Sequence, residues 1–183
     1  MVSLTTPVGQ LGWLAAPFDL PGTDGRRHTL ASVRGANGTV VMFICNHCPY
    51  VKAVVAKIVR DMTELRPHGI GSVAIMSNDP VAYPEDSFEK MKSFAREHGF
   101  TFPYLIDERQ DVGRAFGAVC TPDFFGFDRD LRLAYRGRLD TSGRSSDPTA
   151  ARELFDAMLS VVRTGRASGI QQPSVGCSIK WKQ

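Results

Sequence analysis

No apolar run in this 183-residue chain is long enough to cross a bilayer, which takes about 20 consecutive residues. The opening MVSLTTPVGQLGWLAAPF has no basic leading segment and no long apolar core, so a secretory leader is not expected. Four cysteines are too few and too scattered for a disulfide scaffold, and only Cys45 and Cys48 are close in sequence. The net charge of +3 is too mild for a dedicated nucleic-acid binder, which carries a dense basic stripe. No internal repeat or domain linker is visible. These absences predict a cytoplasmic protein of a reducing compartment, with no nucleic-acid or membrane partner, where a close cysteine pair points to redox or metal chemistry.

What is present is a core. The chain is 43% hydrophobic and 22% charged, which suits one folded domain and argues against disorder. Its organising stretch is TVVMFICNHCPY, Thr39–Tyr50, an apolar β-branched run ending in Cys45-Asn46-His47-Cys48-Pro49. Val51–Arg66 behind it has helical periodicity, so a buried strand runs into a helix with two cysteines at the junction. The first turn of a helix presents free N–H groups and the positive end of the dipole. A thiolate there is stabilised, and a second thiol three residues on is within disulfide reach. Pro49 is suited to start the helix.

Elsewhere, residues 1–17 read as a loosely attached arm, 18–164 as the domain and 165–183 as a C-terminal tail packing on it. Phe18–Leu20, the Pro21–Gly25 turn and Arg26–Leu30 suggest a hairpin, and Ser32–Gly35 a single helical turn. Ile70–Ser77 is a second apolar strand and Asn78–Pro84 a loop. Glu85–His98 is an amphipathic helix that Gly99 stops, Phe102–Ile106 a short strand, and Arg109–Phe116 a helix closed by Gly117. Phe124–Phe127 and Leu131–Tyr135 form a hairpin around Asp128-Arg129-Asp130. Ser142–Asp147 is a polar loop and Pro148–Arg163 a last helix. From Leu131 onward nine Lys/Arg face four Asp/Glu, read as a solvated face. The order is α/β, with early parallel βα units and a late antiparallel edge, hence a central mixed sheet flanked by helices.

Several stretches resemble the thioredoxin fold, and more closely its peroxiredoxin-like, AhpC/TSA-related group. They are Phe43–Val51, Ser77-Asn78-Asp79, Ala118–Phe125 and the tail Gly176–Lys182, together with the opening Phe18-x-Leu20, Asp24-Gly25-Arg26, Leu30 and Gly35. The resemblance runs from about Phe18 to Lys182. It implies a thioredoxin-like fold with an N-terminal β-hairpin extension. It makes Cys45 the nucleophile and Cys48 the resolving thiol, and Thr121-Pro122 a cis pair whose backbone meets a peptide or thiol substrate. Two departures set the chain apart from peroxiredoxins. Where they hold a threonine and a proline three and seven places before the peroxidatic cysteine, this chain has Cys45 and Val41. Where they hold an arginine near the late strand, it has Thr121-Pro122.

The implied activity is thiol–disulfide exchange, with no bound cofactor and no metal, acting on a protein or small-molecule disulfide or thiol and recharged by a thiol electron donor. Monomer and homodimer both stay open. The alternatives are a thiol-dependent peroxidase and a non-catalytic protein whose cysteines hold a metal. Cys45 and Cys48 can also be read as plain core cysteines. His47 either tunes the nucleophile or is an ordinary surface residue. Cys120 is an auxiliary thiol or small core filling, and Cys177 a resolving, substrate-like or idle thiol. Asp107, Glu108, Asp111 and Asp123 are the acids near the late loops, none assigned as proton acceptor.

Overall fold

The two ends of the chain meet over the same edge of the protein. The computed structural model describes residues 3–7, 10–143, 145, 147 and 149–183. In it Ser3–Thr5 forms a strand, β1. β2 (Asp19–Pro21) and β3 (Arg27–Thr29) make the expected hairpin. The helical turn α1 (Leu30–Val33) opens on a reciprocal capping box between Thr29 and Ser32. The order continues β4 (Gly38–Phe43), α2 (Pro49–Leu65), β5 (Ile70–Met76), α3 (Phe88–Glu97), β6 (Tyr104–Ile106) and α4 (Asp111–Phe116). Then come β7 (Cys120–Thr121), β8 (Asp123–Asp128), β9 (Leu133–Gly137), α5 (Glu153–Thr164) and β10 (Val175–Ser178).

The central sheet has the order β6-β5-β4-β8-β9. β4, β5 and β6 are parallel, and β8 joins β4 antiparallel with β9 beyond it. β4 is buried along its whole length, which is why its sequence is continuously apolar rather than alternating. Alternation survives in where its side chains go. Val40 and Met42 enter the layer built with α2, α3 and α5, and Val41 and Phe43 the layer on the other face. Each fully buried side chain of this size is worth roughly 1.5–3 kcal/mol.

The arm is not loose. Trp13 packs edge-on against Phe116, Phe125 and Phe127, with ring centroids 5.9, 6.1 and 5.4 Å away. The Gly12 and Ala15 N–H groups donate to Leu133 O and Leu131 O. Residues 1, 2, 8 and 9 of that arm lie outside the described residues.

Two helices start later than their periodicity predicts. α3 begins at Phe88, because Pro84–Asp86 form a separate 3₁₀ turn whose buried Asp86 faces inward. α5 begins at Glu153, because Thr141 N donates to Ala151 O and Leu154 N to Leu139 O, tying the preceding backbone to the loop after β9. The expected start at Pro148, and positions 144 and 146 of the polar loop, lie outside the described residues.

The tail forms regular structure. β10 lies between β1 and β7, antiparallel to both, with Cys177 opposite Ser3 and Thr121.

Candidate active site

Strand register assembles the site. β4 and β8 pair antiparallel with Phe43 opposite Asp123. The chain leaving β4 therefore meets the chain entering β8, and Cys45 faces Thr121 across the top of the sheet. Cys45 Sγ lies 3.3 Å from Thr121 Oγ1, and the Cys48 thiol donates to Thr121 O at 3.1 Å. The Thr121–Pro122 peptide is cis. Pro122 also lines a cavity of about 110 Å³ with Tyr50, Val54, Phe124 and Leu139.

α2 starts at Pro49, so the residue at its N-cap is Cys48, while Cys45 sits in the loop before it. The electrostatics follow that placement. Cys48 is lowered to about 5. The hydrogen bond from Cys45 contributes most, and burial opposes it; Cys177, Thr121 and the Val51 N–H add to the lowering. Cys45 is pushed well up by sharing its proton with Cys48, by burial and by the Asp86 carboxylate. The lower pKa thus falls on Cys48, whereas the resemblance makes Cys45 the nucleophile.

The loop between the cysteines is held by a residue the sequence reading missed. Asp86 is fully buried. Its carboxylate accepts from Asn46 N at 2.8 Å, His47 N at 3.3 Å and Asn78 Nδ2 at 2.7 Å, and its Oδ2 lies 2.7 Å from His47 Nδ1. Tyr104 OH donates to Asn46 Oδ1 at 3.0 Å. The Asp86 bond raises His47 above its ordinary value, and the His47 bond, the largest favourable contact, helps to lower Asp86 against its burial. Asp86 sits in what reads as one turn of an amphipathic helix, and only the preceding Pro84 signals that this turn is separate. Asn78, in the Ser77-Asn78-Asp79 stretch of the resemblance, also accepts from Lys180 N at 2.9 Å. The tail is thereby tied into the same network.

The other acids lie elsewhere. Asp107 accepts from Ser77 Oγ and from the Val112 and Gly113 N–H groups at the start of α4. Asp123 pairs with Arg136 at 3.0 Å, and Asp111 with Arg109 at the surface. Cys45, His47 and Asp86 hold their ligand atoms within 4.8 Å of one another, donor types that bind metal ions. The Asp86 oxygens are already engaged by the nitrogens of Asn46, His47 and Asn78.

Both auxiliary thiols are buried. Cys120 donates to Pro122 O at 3.6 Å, and burial pushes its thiol up. Cys177, in the tail expected to pack on the domain, is 2.8 Å from Cys48, sulfur to sulfur. Burial pushes it up to about 12. None of the four cysteines is more than 1% exposed, and all four are in the reduced, thiol form.

A mixed sheet with two thiols at a strand-to-helix junction, facing a cis-proline, defines a thioredoxin-fold thiol protein. The chain belongs to the AhpC/TSA family, whose profile matches residues 11–136. An uncharacterized conserved protein of Geobacillus kaustophilus is similar along its whole length: 46% identity over 100% of this chain and 97% of that one, with a TM-score of 0.94. The hypothetical protein SMc02350 of Sinorhizobium meliloti 1021 is 36% identical over 97% of this chain and 98% of its own, with a TM-score of 0.92. The peroxidoxin BcpB of Mycobacterium tuberculosis shares the fold at 20% identity, over 86% of this chain and 98% of its own, with a TM-score of 0.63. No curated protein matches the chain. No helix among the described residues is long and apolar enough to cross a membrane.

Proposed function

We propose that this protein is a thiol–disulfide oxidoreductase working through Cys45 and Cys48, with no bound cofactor. The supporting observation is the pairing of these two thiols beside Thr121 and the cis-proline at the start of α2. The Cys48 thiolate attacks a substrate disulfide, forming a mixed disulfide and releasing one thiolate, which takes up a proton. Cys45, deprotonated as it reacts, attacks Cys48 Sγ and expels the second substrate thiolate. A Cys45–Cys48 disulfide remains, and a thiol donor reduces it again. The resemblance assigns the attack to Cys45; the helix start and the two flanking thiols favour Cys48. Substrates are protein or small-molecule disulfides, and the compartment is a reducing one such as the cytoplasm.

The test is a redox titration against glutathione in a Cys177→Ser background, read by thiol trapping and mass spectrometry. A reversible two-electron couple is expected there, lost when Cys45→Ser is added. A Cys177→Ser protein that never bridges Cys45 to Cys48 sinks the reading.

Family membership and the position of Cys48 favour a second reading, a thiol-dependent peroxidase. The Cys48 thiolate would cleave the O–O bond of a hydroperoxide, giving a sulfenic acid and an alcohol. A second thiol would then condense with it and release water. Arg136, the buried arginine, is bound to Asp123 and Gly117 O. Donor-coupled peroxide consumption no faster than that of a free thiol removes this reading.

A further inference from the structure

The edge of β7 beside the cis-proline is where the site would pair with an extended substrate, and it is occupied. β10 runs antiparallel along it, with Cys177 opposite Thr121 and Ser178 opposite Cys120. The fit requires Gly176, since a Cβ there would stand 2.2 Å from Thr121 O and 3.1 Å from Pro122 N. The strand brings a thiol with it, and Cys177 Sγ is 2.8 Å from Cys48 Sγ. Three further contacts fix that placement. β1 covers the outer edge of β10. Lys180 N donates to Asn78 Oδ1 at 2.9 Å, and Gln110 Nε2 donates to Lys180 O at 2.8 Å. An extended strand that lies on the substrate edge and presents a cysteine to the reactive one has the form of a bound substrate.

From this geometry we infer that β10 is a built-in substrate strand and Cys177 a third redox thiol, which forms a disulfide with Cys48 and latches the strand over the site. The inference rests on the thiol–disulfide reading of Cys48. The step is an internal exchange. The Cys177 thiolate attacks Cys48 Sγ of the Cys45–Cys48 disulfide, a Cys48–Cys177 bond forms, the Cys45–Cys48 bond breaks, and Cys45 leaves as a thiolate that takes the proton Cys177 gave up. No electrons enter or leave. In the latched form an incoming substrate can reach neither Cys48 nor the β7 edge. Attack by Cys45 or by an external thiol reopens it.

The experiment oxidises the full chain with glutathione disulfide, alkylates free thiols under acid quench, digests with trypsin without reduction and maps the cross-links. Cys45 and Cys48 share the peptide Gly35–Lys52, while Cys177 lies in Ala167–Lys180. The expected result is a cross-link between these two peptides, assigned to Cys48 by fragmentation, in wild type and in Cys45→Ser. It is absent in Cys177→Ser. If wild type gives only the Cys45–Cys48 bond and Cys45→Ser gives only Cys48 glutathionylation, the inference fails while the Cys45–Cys48 reading stands. A cross-link in Cys45→Ser, formed when Cys177 displaces glutathione from a Cys48 mixed disulfide, with no bond in Cys177→Ser, keeps the Cys48–Cys177 bond but overturns both the exchange from Cys45 and the Cys45–Cys48 reading.

Discussion

Replacing Gly176 by alanine separates a strand that seals the site from one that merely lies near it. The new Cβ would meet three backbone atoms: Thr121 O at 2.2 Å, Thr121 C at 2.6 Å and Pro122 N at 3.1 Å. None can rotate away, and an ordinary contact needs at least 3.4 Å, so β10 must shift outward by about 1 Å. Overpacking of this kind costs roughly 1–3 kcal/mol. The cost falls on the closed arrangement of β10, because once the strand has lifted the methyl meets nothing. A penalty of about 2 kcal/mol raises the open fraction by roughly 30-fold. Cys48 is 0% exposed, so alkylation of the reduced protein requires such opening, and its rate scales with that fraction. The assay is timed iodoacetamide labelling read on Gly35–Lys52, with Cys48 assigned by fragmentation and the dependence of its rate on low urea separating local opening from global unfolding. Cys48 labelling is expected to rise tenfold or more, at a rate that depends little on urea. An unchanged Cys48 rate, or one that rises with urea as steeply as global unfolding, refutes local closure by β10.

The remaining predictions concern the buried charges. Asp86→Asn removes a carboxylate that accepts from Asn46, His47 and Asn78, and a cost on the order of 3 kcal/mol is expected from lost charge-assisted bonds. Because Asp86 holds His47 above its ordinary value, the His47 titration followed by NMR should move down in this variant; an unmoved midpoint contradicts the assignment. The pH dependence follows from the two signs. The raised His47 stabilises fully below its unfolded value of 6.5 and loses this as pH rises through its folded value. The lowered Asp86 stabilises above 3.8 and loses this as pH falls through its folded value. The melting difference between wild type and Asp86→Asn should therefore be widest between 3.8 and 6.5 and narrow at higher pH. Arg136→Met strands the buried Asp123, a change worth about 3–5 kcal/mol. Burial raises Asp123 to about 6 from 3.8, so its contribution is complete below 3.8 and is lost as pH rises through 6. Losing Arg136 should thus hurt least in acid, and a melting deficit independent of pH argues against the pair.

The sequence is legible where local pattern and tertiary demand agree. Thr39–Phe43 announces a strand buried on both faces because its apolar run is unbroken, and Pro49 announces the helix start. Cys45, Cys48, Thr121 and Pro122 are found together because a strand-to-helix junction and a late Thr-Pro pair each have a fixed place in the resemblance. Periodicity misleads at Asp86. Its spacing fits a helix face, yet its role comes from N–H groups some forty residues earlier. Trp13 and Cys177 fail for a related reason. Each lies in a stretch with no period, which leaves its contacts unread, and each is fixed by partners that only the folded topology supplies. Gly176 could have hinted at this, since a glycine beside a cysteine in an otherwise patternless tail fits a backbone that must lie close to another. The same reasoning bears on which cysteine attacks. Motif position favours Cys45, but Pro49 starts the helix and puts Cys48 at its N-cap, and a sulfur's reactivity follows the helix end and its neighbouring thiols as well as its rank in the motif. With Cys45 on one side of Cys48 and Cys177 on the other, Cys48 is the sulfur that either disulfide must share.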